Sequence, residues 1–308
     1  MKSPLATGLT ILRNGVSLGY PFLEAIRAAL PLCDEYIVVV GDCQDGTREA
    51  IEDLKDARIR IVDTVWSPHV TPRKCLLAQQ TNVGLNLAKG RWCVAVQAEE
   101  VLHESDVDEL RGLMQEHVTN PRVEGFLFER LTYWADYEHV LACYPHMFKY
   151  TPRIVRTDIG VQSIRDAMSF AVFDGWSTRG RYPRCLDTGS WIHRLGHVRR
   201  ADVMERKFRE AVHHASAHAL AADYFQSTFP EQFVRRRSVS LPAVLQSSAA
   251  SFPSQYSLGD ARNRRTLSWQ ERARLAESDL YRAMGVPKWR NSRFQLVGDW
   301  KSKPDRPA

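Results

Sequence analysis

Two adjacent carboxylates, Glu99 and Glu100, follow the buried run Trp92–Val96 and are the side chains best suited to chemistry. Carboxylate oxygens are preferred ligands of Mg²⁺ and Mn²⁺, which bridge them to phosphate groups. The alternative is a carboxylate pair at the start of the next helix, where the helix dipole favours negative charge. Because the pair directly follows a buried strand, we favour the metal-binding interpretation.

Polar residues also follow two other predicted strands. Arg13-Asn14 follows the apolar run Leu9–Leu12, and Asp42 to Thr47 follows the β-branched run Tyr36–Val40. The second run lacks polar alternation, which is typical of a parallel strand buried on both faces. Because ligands of parallel α/β sheets bind outside the carboxyl ends of the strands, these clusters predict one binding site at that edge.

Strands and helices alternate over the first part of the chain. This alternation predicts right-handed βαβ units, and therefore an α/β, Rossmann-like fold with a mostly parallel sheet flanked by helices. The predicted strands are Leu9–Leu12, Tyr36–Val40, Arg58–Val62 and Trp92–Val96, and the predicted helices are Pro21–Leu30, Arg48–Leu54, Cys75–Ala88 and Glu104–Glu116.

The pattern changes after Pro121. We predict longer, aromatic-rich strands with a loop between them, then irregular loops over residues 157–200, and then mainly helices. We therefore expect one domain over residues 1–200 and a basic, mainly helical extension over 201–308. The predicted segments are strands Gly125–Trp134 and Met147–Arg156, loop Ala135–His146, helices Ala201–Ala211, His213–Phe225 and Trp269–Met284, and a loop or linker at Ser238–Asp260.

The composition is ordinary for a globular protein: of 308 residues, 44% are hydrophobic and 25% are charged. No signal peptide follows Met1, and no apolar run approaches the roughly 20 residues that span a bilayer, so we expect a cytoplasmic protein. The six cysteines show no Cys-x-x-Cys or zinc spacing, which favours free thiols in a reducing compartment.

Positive charge is concentrated in the C-terminal third. Residues 1–198 carry 22 Lys and Arg against 25 Asp and Glu, whereas residues 199–308 carry 20 against 11. A basic region of this kind can bind an anionic membrane surface, a phosphorylated acceptor or nucleic acid. Solvated Arg-rich helices that only keep the protein soluble explain the charge equally well.

Four stretches occur in a characteristic order: Thr10 to Asn14, Val38 to Glu49, Gln80 to Glu100, and the set Pro152 to Arg156, Ser163 to Asp166 and Ile192-His193. Together they span about two-thirds of the chain, and they resemble the motifs of the family 2 glycosyltransferases, which have the GT-A fold. Two departures from the family pattern matter. Asp42 lies one position beyond the usual base-contacting Asp, and Gln97-Ala98-Glu99 stands where the family has Asp-x-Asp. Thr10-Ile11-Leu12-Arg13-Asn14 matches the first strand of the family. Val38 to Glu49 is similar to the family motif VDDGSxDGT, and Gln80 to Glu100 is similar to RNxGxxxAxGxxxxxxDxDD. The last set, from Pro152 to His193, is similar to RxxR … hHE … HxG.

The resemblance implies transfer of a sugar, with inversion, from a nucleoside-diphosphate sugar to a glycan or lipid-linked acceptor in surface polysaccharide synthesis. It implies Asp166 as the general base, with Asp187 and Glu129 as our alternatives. It implies Mg²⁺ or Mn²⁺ held by Glu99 and Glu100, with His193 or His197 completing the shell. The donor-binding residues are then Arg13, Asn14, Asp42, Asn82, Gln97, Arg153, Arg156 and Arg199, whose arginines present forked donors that suit phosphate.

The basic C-terminal region is compatible with peripheral contact at the inner membrane face, and we expect no nucleic-acid partner. Several residues also have structural interpretations. Asp166 could be a loop carboxylate paired with Arg165, and each histidine or arginine could be purely structural. Trp134, Tyr137 and Trp176 could stack on an acceptor sugar or lie in the core. His213, His214 and His218 fit a polar helix face better than a zinc site.

Two other functions stay open from the sequence. A sugar-nucleotidyltransferase should carry a Gly-rich, basic phosphate loop after the first strand, which Arg13-Asn14-Gly15-Val16-Ser17 does not supply. A non-catalytic glycan- or nucleic-acid-binding protein with a degenerate site remains compatible with Gln97 and with the missing Asp at Val40.

Overall fold

A computed structural model of the chain describes residues 4–67, 69, 75–142, 150–175, 178–210, 224–284 and 293–298. The strands are β1 Ala6–Leu12, β2 Glu35–Val40, β3 Ile59–Asp63, β4 Trp92–Ala95, β5 Glu100–Leu102, β6 Gly125–Trp134, β7 His139–Leu141, β8 Tyr150–Arg156, β9 Val161–Ile164, β10 Ser169–Val172, β11 Arg184–His197, β12 Val234–Arg236 and β13 Gln295–Leu296. The α-helices are α1 Phe22–Ala29, α2 Thr47–Glu52, α3 Leu76–Leu87, α4 Val107–Glu116, α5 Ala201–Glu210, α6 Tyr224–Ser227, α7 Gln246–Ser251 and α8 Trp269–Ala283.

The first half of the sheet is parallel. β1 lies between β2 and β4 and pairs in parallel with both, and β3 pairs in parallel with β2. The predicted α/β fold is therefore confirmed, with helices packed on the sheet. Because these four strands run in the same direction, the residues that follow them meet at one edge of the sheet.

Burial on both faces explains the unbroken apolar run of β2. Val38 and Val40 belong to the same core cluster as Ile26 of α1, whereas Val39 belongs to a second cluster with Leu85 of α3. Successive side chains of a strand point to opposite faces, so a strand between two helix layers needs apolar residues at every position.

The second half of the sheet is mixed. β8 runs antiparallel to β4 and to β6, and β6 pairs in parallel with the long strand β11. β11 in turn pairs antiparallel with β5, which directly follows the turn after β4. This second pairing brings β11 back to the carboxyl edge of the parallel strands.

The prediction of irregular loops over residues 157–200 is wrong, because this region holds the hairpin β9–β10 and the 14-residue strand β11. Gly189 adopts a φ of 70° within β11, where the pairing with β6 shifts register between Asp187 and Trp191. Such β-bulges place Gly and polar residues inside a strand and give it the composition of a loop. The sequence pattern also did not predict two short elements. These are β7, which lies within the predicted loop Ala135–His146, and α7, which lies within the predicted loop or linker Ser238–Asp260.

The C-terminal region is less separate than a helical extension would be. α5 and α8 agree with the predicted helices, but β12 pairs with β7 and β13 pairs with β11. A basic helical extension is therefore not confirmed, and the division at residue 200 stays a prediction. Most of the predicted helix His213–Phe225 lies outside the described residues, as do residues 147–149 of the predicted strand Met147–Arg156.

None of the helices in the described ranges is long and apolar enough to cross a bilayer. The described cysteines are free thiols, in agreement with the sequence, and Cys143 lies outside the described residues.

The close packing of Gly8 against Tyr36 leads to a prediction about the stability of the fold. A methyl group at Gly8 of β1 would lie 2.1 Å from the Tyr36 ring. We expect Gly8→Ala to lower the free energy of unfolding by about 1–3 kcal/mol through overpacking, as measured by denaturant titration. Gly112→Ala is the matched control, because Gly112 is exposed on α4 with nothing within 4 Å of the added methyl. Its expected effect is a gain of up to about 1 kcal/mol in helix propensity. Equal losses in both variants would contradict the packing argument.

Candidate functional site

A cavity of about 450 Å³ opens at the carboxyl edge of the parallel strands. Arg13 and Asn14 enter its wall after β1, Trp66 after β3, and the turn Gln97 to Glu99 after β4. Asp42, after β2, is not among the lining residues but contacts two of them. Its carboxylate lies 3.1 Å from Nε of Arg13 and accepts a hydrogen bond from the backbone N–H of Trp66 at 3.3 Å.

The cavity brings together seven of the residues that the sequence singled out. Those that line it are Arg13, Asn14, Gln97, Glu99, Arg153, Asp166 and His197. Those that do not line it are Asp42, Asn82, Glu100, Arg156, His193 and Arg199, and also the alternative bases Asp187 and Glu129.

Glu99 is surrounded by three cations. Its Oε2 lies 2.7 Å from Nζ of Lys207 and 3.2 Å from Arg199, and its Oε1 lies 2.8 Å from Arg194. Burial alone would raise the pKa of Glu99, but the charges of Lys207, Arg194 and Arg199 together lower it well below its usual range. Glu99 is therefore ionised and carries several charge-assisted hydrogen bonds.

Glu100 forms a second buried ion pair. Arg153 of β8 donates from Nε and Nη2 to the two carboxylate oxygens, at 2.6 Å and 2.8 Å. Arg130 of β6 lies on the same carboxylate, with Nε 3.6 Å from Oε1. Burial raises the pKa of Glu100, yet the Arg153 charge and hydrogen bond bring it below its usual value. This forked pair ties the start of β5 to β8.

The buried cluster holds more positive than negative charge. Burial and the nearby Arg153 lower the pKa of Arg130 to about 9, and burial and the nearby Arg199 lower the pKa of Lys207 to about 7. Uncompensated buried charge is costly, so the cluster favours an anionic ligand. It consists of three buried arginines, Arg130, Arg153 and Arg199, and two half-buried basic residues, Arg194 and Lys207, against two buried carboxylates, Glu99 and Glu100.

Two further carboxylates, Asp166 and Glu210, lie on the cavity wall outside this cluster. Glu210 is exposed and accepts a hydrogen bond from the side-chain amide of Asn14 at 2.9 Å, and Asp166 is partly exposed. Both are therefore closer to solvent than Glu99 and Glu100.

The carboxylates predicted to hold a metal do not fit a metal site in this arrangement. Both oxygens of Glu99 and of Glu100 already accept hydrogen bonds from Arg or Lys. Over the described ranges, no group of three or more His, Cys, Asp and Glu side chains could hold a metal ion. The divalent ion therefore stays a prediction of the sequence resemblance.

The two candidate histidines differ in position. His193 is buried beside Tyr133, whose hydroxyl lies 2.8 Å from Nδ1 of the ring. His197 lines the cavity, and burial, together with the charges of Arg194 and Lys207, lowers its pKa well below its usual value. Near neutral pH His197 is therefore an uncharged ring in the cavity wall.

Asp166 lies in the tight turn between β9 and β10. The residues on either side, Arg165 and Ala167, have φ values of 58° and 47°, which non-glycine residues rarely adopt and which cost of order 1–3 kcal/mol each. Asn82 exchanges two hydrogen bonds with the backbone of Ser163, at 3.1 Å and 2.7 Å, and Gln97 donates to the carbonyl of Ala167 at 3.3 Å. Asn82 and Gln97 thus position the turn that presents Asp166.

The guanidinium groups of Arg156 and Arg199 are both bound by other groups of the protein. Arg156 pairs with Asp158 and donates to the carbonyls of His117, Val118 and Asn120, beside a different cavity of about 540 Å³. Arg199 is buried and donates to the carbonyl of Leu18 and to Glu99.

Of the aromatic candidates, Trp134 and Tyr137 are buried in the core, and Trp134 donates to the carbonyl of Phe225 at 2.9 Å. Trp176, His213, His214 and His218 lie outside the described residues.

Sequence reasoning missed Arg130, Arg194 and Lys207, all of which line the cavity. Arg194 is adjacent to His193 on β11, and neighbouring strand residues point to opposite faces. If β11 is recognised as a strand, His193 and Arg194 are expected on opposite faces of the sheet. In the structure His193 faces the interior and Arg194 faces the cavity. Lys207 lies on α5, beyond the expected domain boundary, and no local pattern marks it.

No protein-family model and no curated protein matches the chain. Among solved structures, the chain is similar to S. aureus TarS 1–349 in complex with UDP, with 14% identity and a TM-score of 0.36 over 67% of this chain and 63% of that one. It is similar to S. aureus TarS, with 13% identity and a TM-score of 0.35 over 67% and 40%. It is also similar to the Pyrobaculum calidifontis mannosyltransferase PcManGT in complex with GDP-Man and Mn²⁺, with 17% identity and a TM-score of 0.33 over 54% and 51%. The match spans less than two-thirds of each of these chains.

Removal of the central carboxylate tests the ion cluster. Glu99→Gln leaves the cluster with a larger excess of positive charge, so we expect the free energy of unfolding to fall by about 3–5 kcal/mol in denaturant titration. Adding Lys207→Met should restore part of that loss, because it removes one of the uncompensated charges. The control is Glu116→Gln at the exposed end of α4, with an expected change below about 0.5 kcal/mol. A Glu99→Gln effect as small as the control would rule out the cluster as a stabilising unit.

Proposed function

We propose that this protein is a glycosyltransferase that uses a nucleoside-diphosphate sugar and transfers the sugar to a glycan or lipid-linked acceptor. The observation that carries the proposal is the cavity at the carboxyl edge of the parallel strands, with its excess of buried positive charge. A diphosphate is an anion that suits such a cluster, and about 450 Å³ is within the usual range for ligand cavities. The order of the four sequence stretches supports the same assignment.

The nucleoside would lie at the β1 and β2 side of the cavity. Arg13, Asp42 and the Trp66 ring meet there, and the ring offers a flat surface on which a base can stack. The diphosphate would then extend towards the cations around Glu99. The sugar would lie near the turn that carries Asp166.

The reaction needs one group to take a proton and others to stabilise the leaving group. An acceptor hydroxyl attacks the anomeric carbon of the sugar, the bond from that carbon to the diphosphate breaks, and the nucleoside diphosphate leaves with the electron pair. Asp166 accepts the hydroxyl proton, and the surrounding cations stabilise the charge that develops on the leaving diphosphate. A single displacement of this kind inverts the anomeric configuration.

The acceptor and cellular context are also part of the proposal. The excess of Lys and Arg after residue 199 supports peripheral binding to the anionic inner face of a membrane, where a lipid-linked acceptor would be within reach. Synthesis of a surface polysaccharide is the context in which such an acceptor is used.

Donor hydrolysis is the first test. The protein should slowly release UDP or GDP from one member of a panel of UDP- and GDP-sugars, because water replaces the missing acceptor. TarS and PcManGT are seen with UDP and GDP-Man, so both bases belong in the panel. Pyrophosphate release from a sugar phosphate and a nucleoside triphosphate would instead indicate a nucleotidyltransferase. Glycan or RNA binding without either product would indicate a binding protein.

The general base is tested by Asp166→Asn. We expect transfer to fall by about 10²- to 10⁴-fold, with donor affinity within about twofold of wild type, because the amide keeps the shape but cannot take the proton. Asp187→Asn is the comparison, since Asp187 was the alternative base and lies outside the cavity lining. Full turnover of Asp166→Asn, or loss of turnover only in Asp187→Asn, would remove Asp166 from this role.

A further inference from the structure

We infer that Arg130, Arg194 and Lys207 bind the donor diphosphate directly, in place of a divalent cation. This inference rests on the proposed function and specifies how the same cavity holds its substrate. None of the three residues belongs to the sequence stretches that suggested a glycosyltransferase. All three line the cavity.

Arg130 has donors that the protein does not use. The residue is only 8% exposed, yet within the described part of the chain its Nε and Nη1 have no hydrogen-bond acceptor. Its nearest carboxylate, Glu100, lies 3.6 Å away and is already bound by both arms of Arg153. A buried guanidinium with unused N–H groups is costly unless a ligand accepts from them.

Arg194 and Lys207 flank the same space from β11 and α5. Nη2 of Arg194 donates to Glu99, while no described residue accepts a hydrogen bond from its Nε and Nη1. Nζ of Lys207 lines the cavity wall, where it donates to Glu99 at 2.7 Å and to the carbonyl of Gly196 at 3.1 Å. The cavity therefore offers several N–H groups to phosphate oxygens from three separate elements.

The same residues offer few ligands to a divalent cation. Mg²⁺ and Mn²⁺ need several oxygen ligands, but Gln97 replaces the first expected carboxylate and its amide nitrogen donates to Ala167. Glu99 would have to release Lys207 and Arg194 before it could bind an ion. The ion would then lie close to these displaced cations, which repel it.

The test is calorimetric titration of the full chain with UDP and with GDP, each in excess Mg²⁺, in excess Mn²⁺ and in EDTA. We expect one of the two nucleotides to bind with a Kd that changes less than about twofold among the three conditions. Arg194→Gln and Lys207→Gln should each weaken that binding by about 10- to 100-fold, as expected for loss of one charge-assisted hydrogen bond. Arg200→Gln, in which an arginine with a 73% exposed side chain is changed, should bind as wild type does.

Three results would count against the inference, and they are distinguishable. Binding that is lost in EDTA and restored by Mn²⁺ would overturn the metal-free diphosphate site but leave the proposed function standing. Unchanged affinity in both Arg194→Gln and Lys207→Gln would remove these side chains from the site. Absence of UDP and GDP binding in every condition, together with no donor hydrolysis, would overturn the proposed function itself. The EDTA comparison uses the wild-type protein, so it is decisive even where a variant folds poorly.

Discussion

The buried ion cluster around Glu99 and Glu100 is the constraint on which the site depends. These two consecutive residues pair with cations from β8, β11, the turn after β11 and α5. Each ion pair joins the turn after β4, or the start of β5, to a segment that is distant in sequence. The two carboxylates therefore hold several segments of the cavity wall together through ion pairs, and all of these ion pairs would be lost if the carboxylates were removed.

The two halves of the sheet contribute different parts of this arrangement. The parallel strands β1 to β4 place the turns containing Arg13, Asp42 and Gln97 at one edge, as βαβ units require. The mixed half brings most of the positive charge, because β6, β8 and β11 carry Arg130, Arg153 and Arg194. A donor diphosphate would thus lie where a neutral, polar edge meets a strongly basic wall.

Local pattern was sufficient for the parallel half of the fold. The apolar run of β2 and the alternation of strands with helices predicted that half, and β6 was predicted with its observed bounds. β11 was missed because its bulge at Gly189 and its many polar residues resemble a loop. Bulges of this kind are determined by long-range pairing, in this case with β6, which a local pattern does not report.

The candidate site was predicted in outline but not in its electrostatics. The clusters at Arg13 and at Gln97 to Glu99 lie at the carboxyl edge of the parallel strands, as the predicted strand order requires. Asp166 lines the same cavity. The sequence could not show that Glu99 would be neutralised by Lys207, which lies more than a hundred positions further along the chain. The difference between a carboxylate free for a metal and one bound by cations is a property of tertiary contacts.

A crystal structure of the full chain grown with UDP or GDP and Mn²⁺, with anomalous data for manganese, would locate both the nucleotide and any bound metal. We expect a nucleotide in the cavity at the carboxyl edge, with diphosphate oxygens about 3 Å from the side-chain nitrogens of Arg194 and Lys207 and no manganese peak at Glu99. A nucleotide bound elsewhere on the molecule, or a manganese ion coordinated by Glu99 with the surrounding cations displaced, would contradict this expectation.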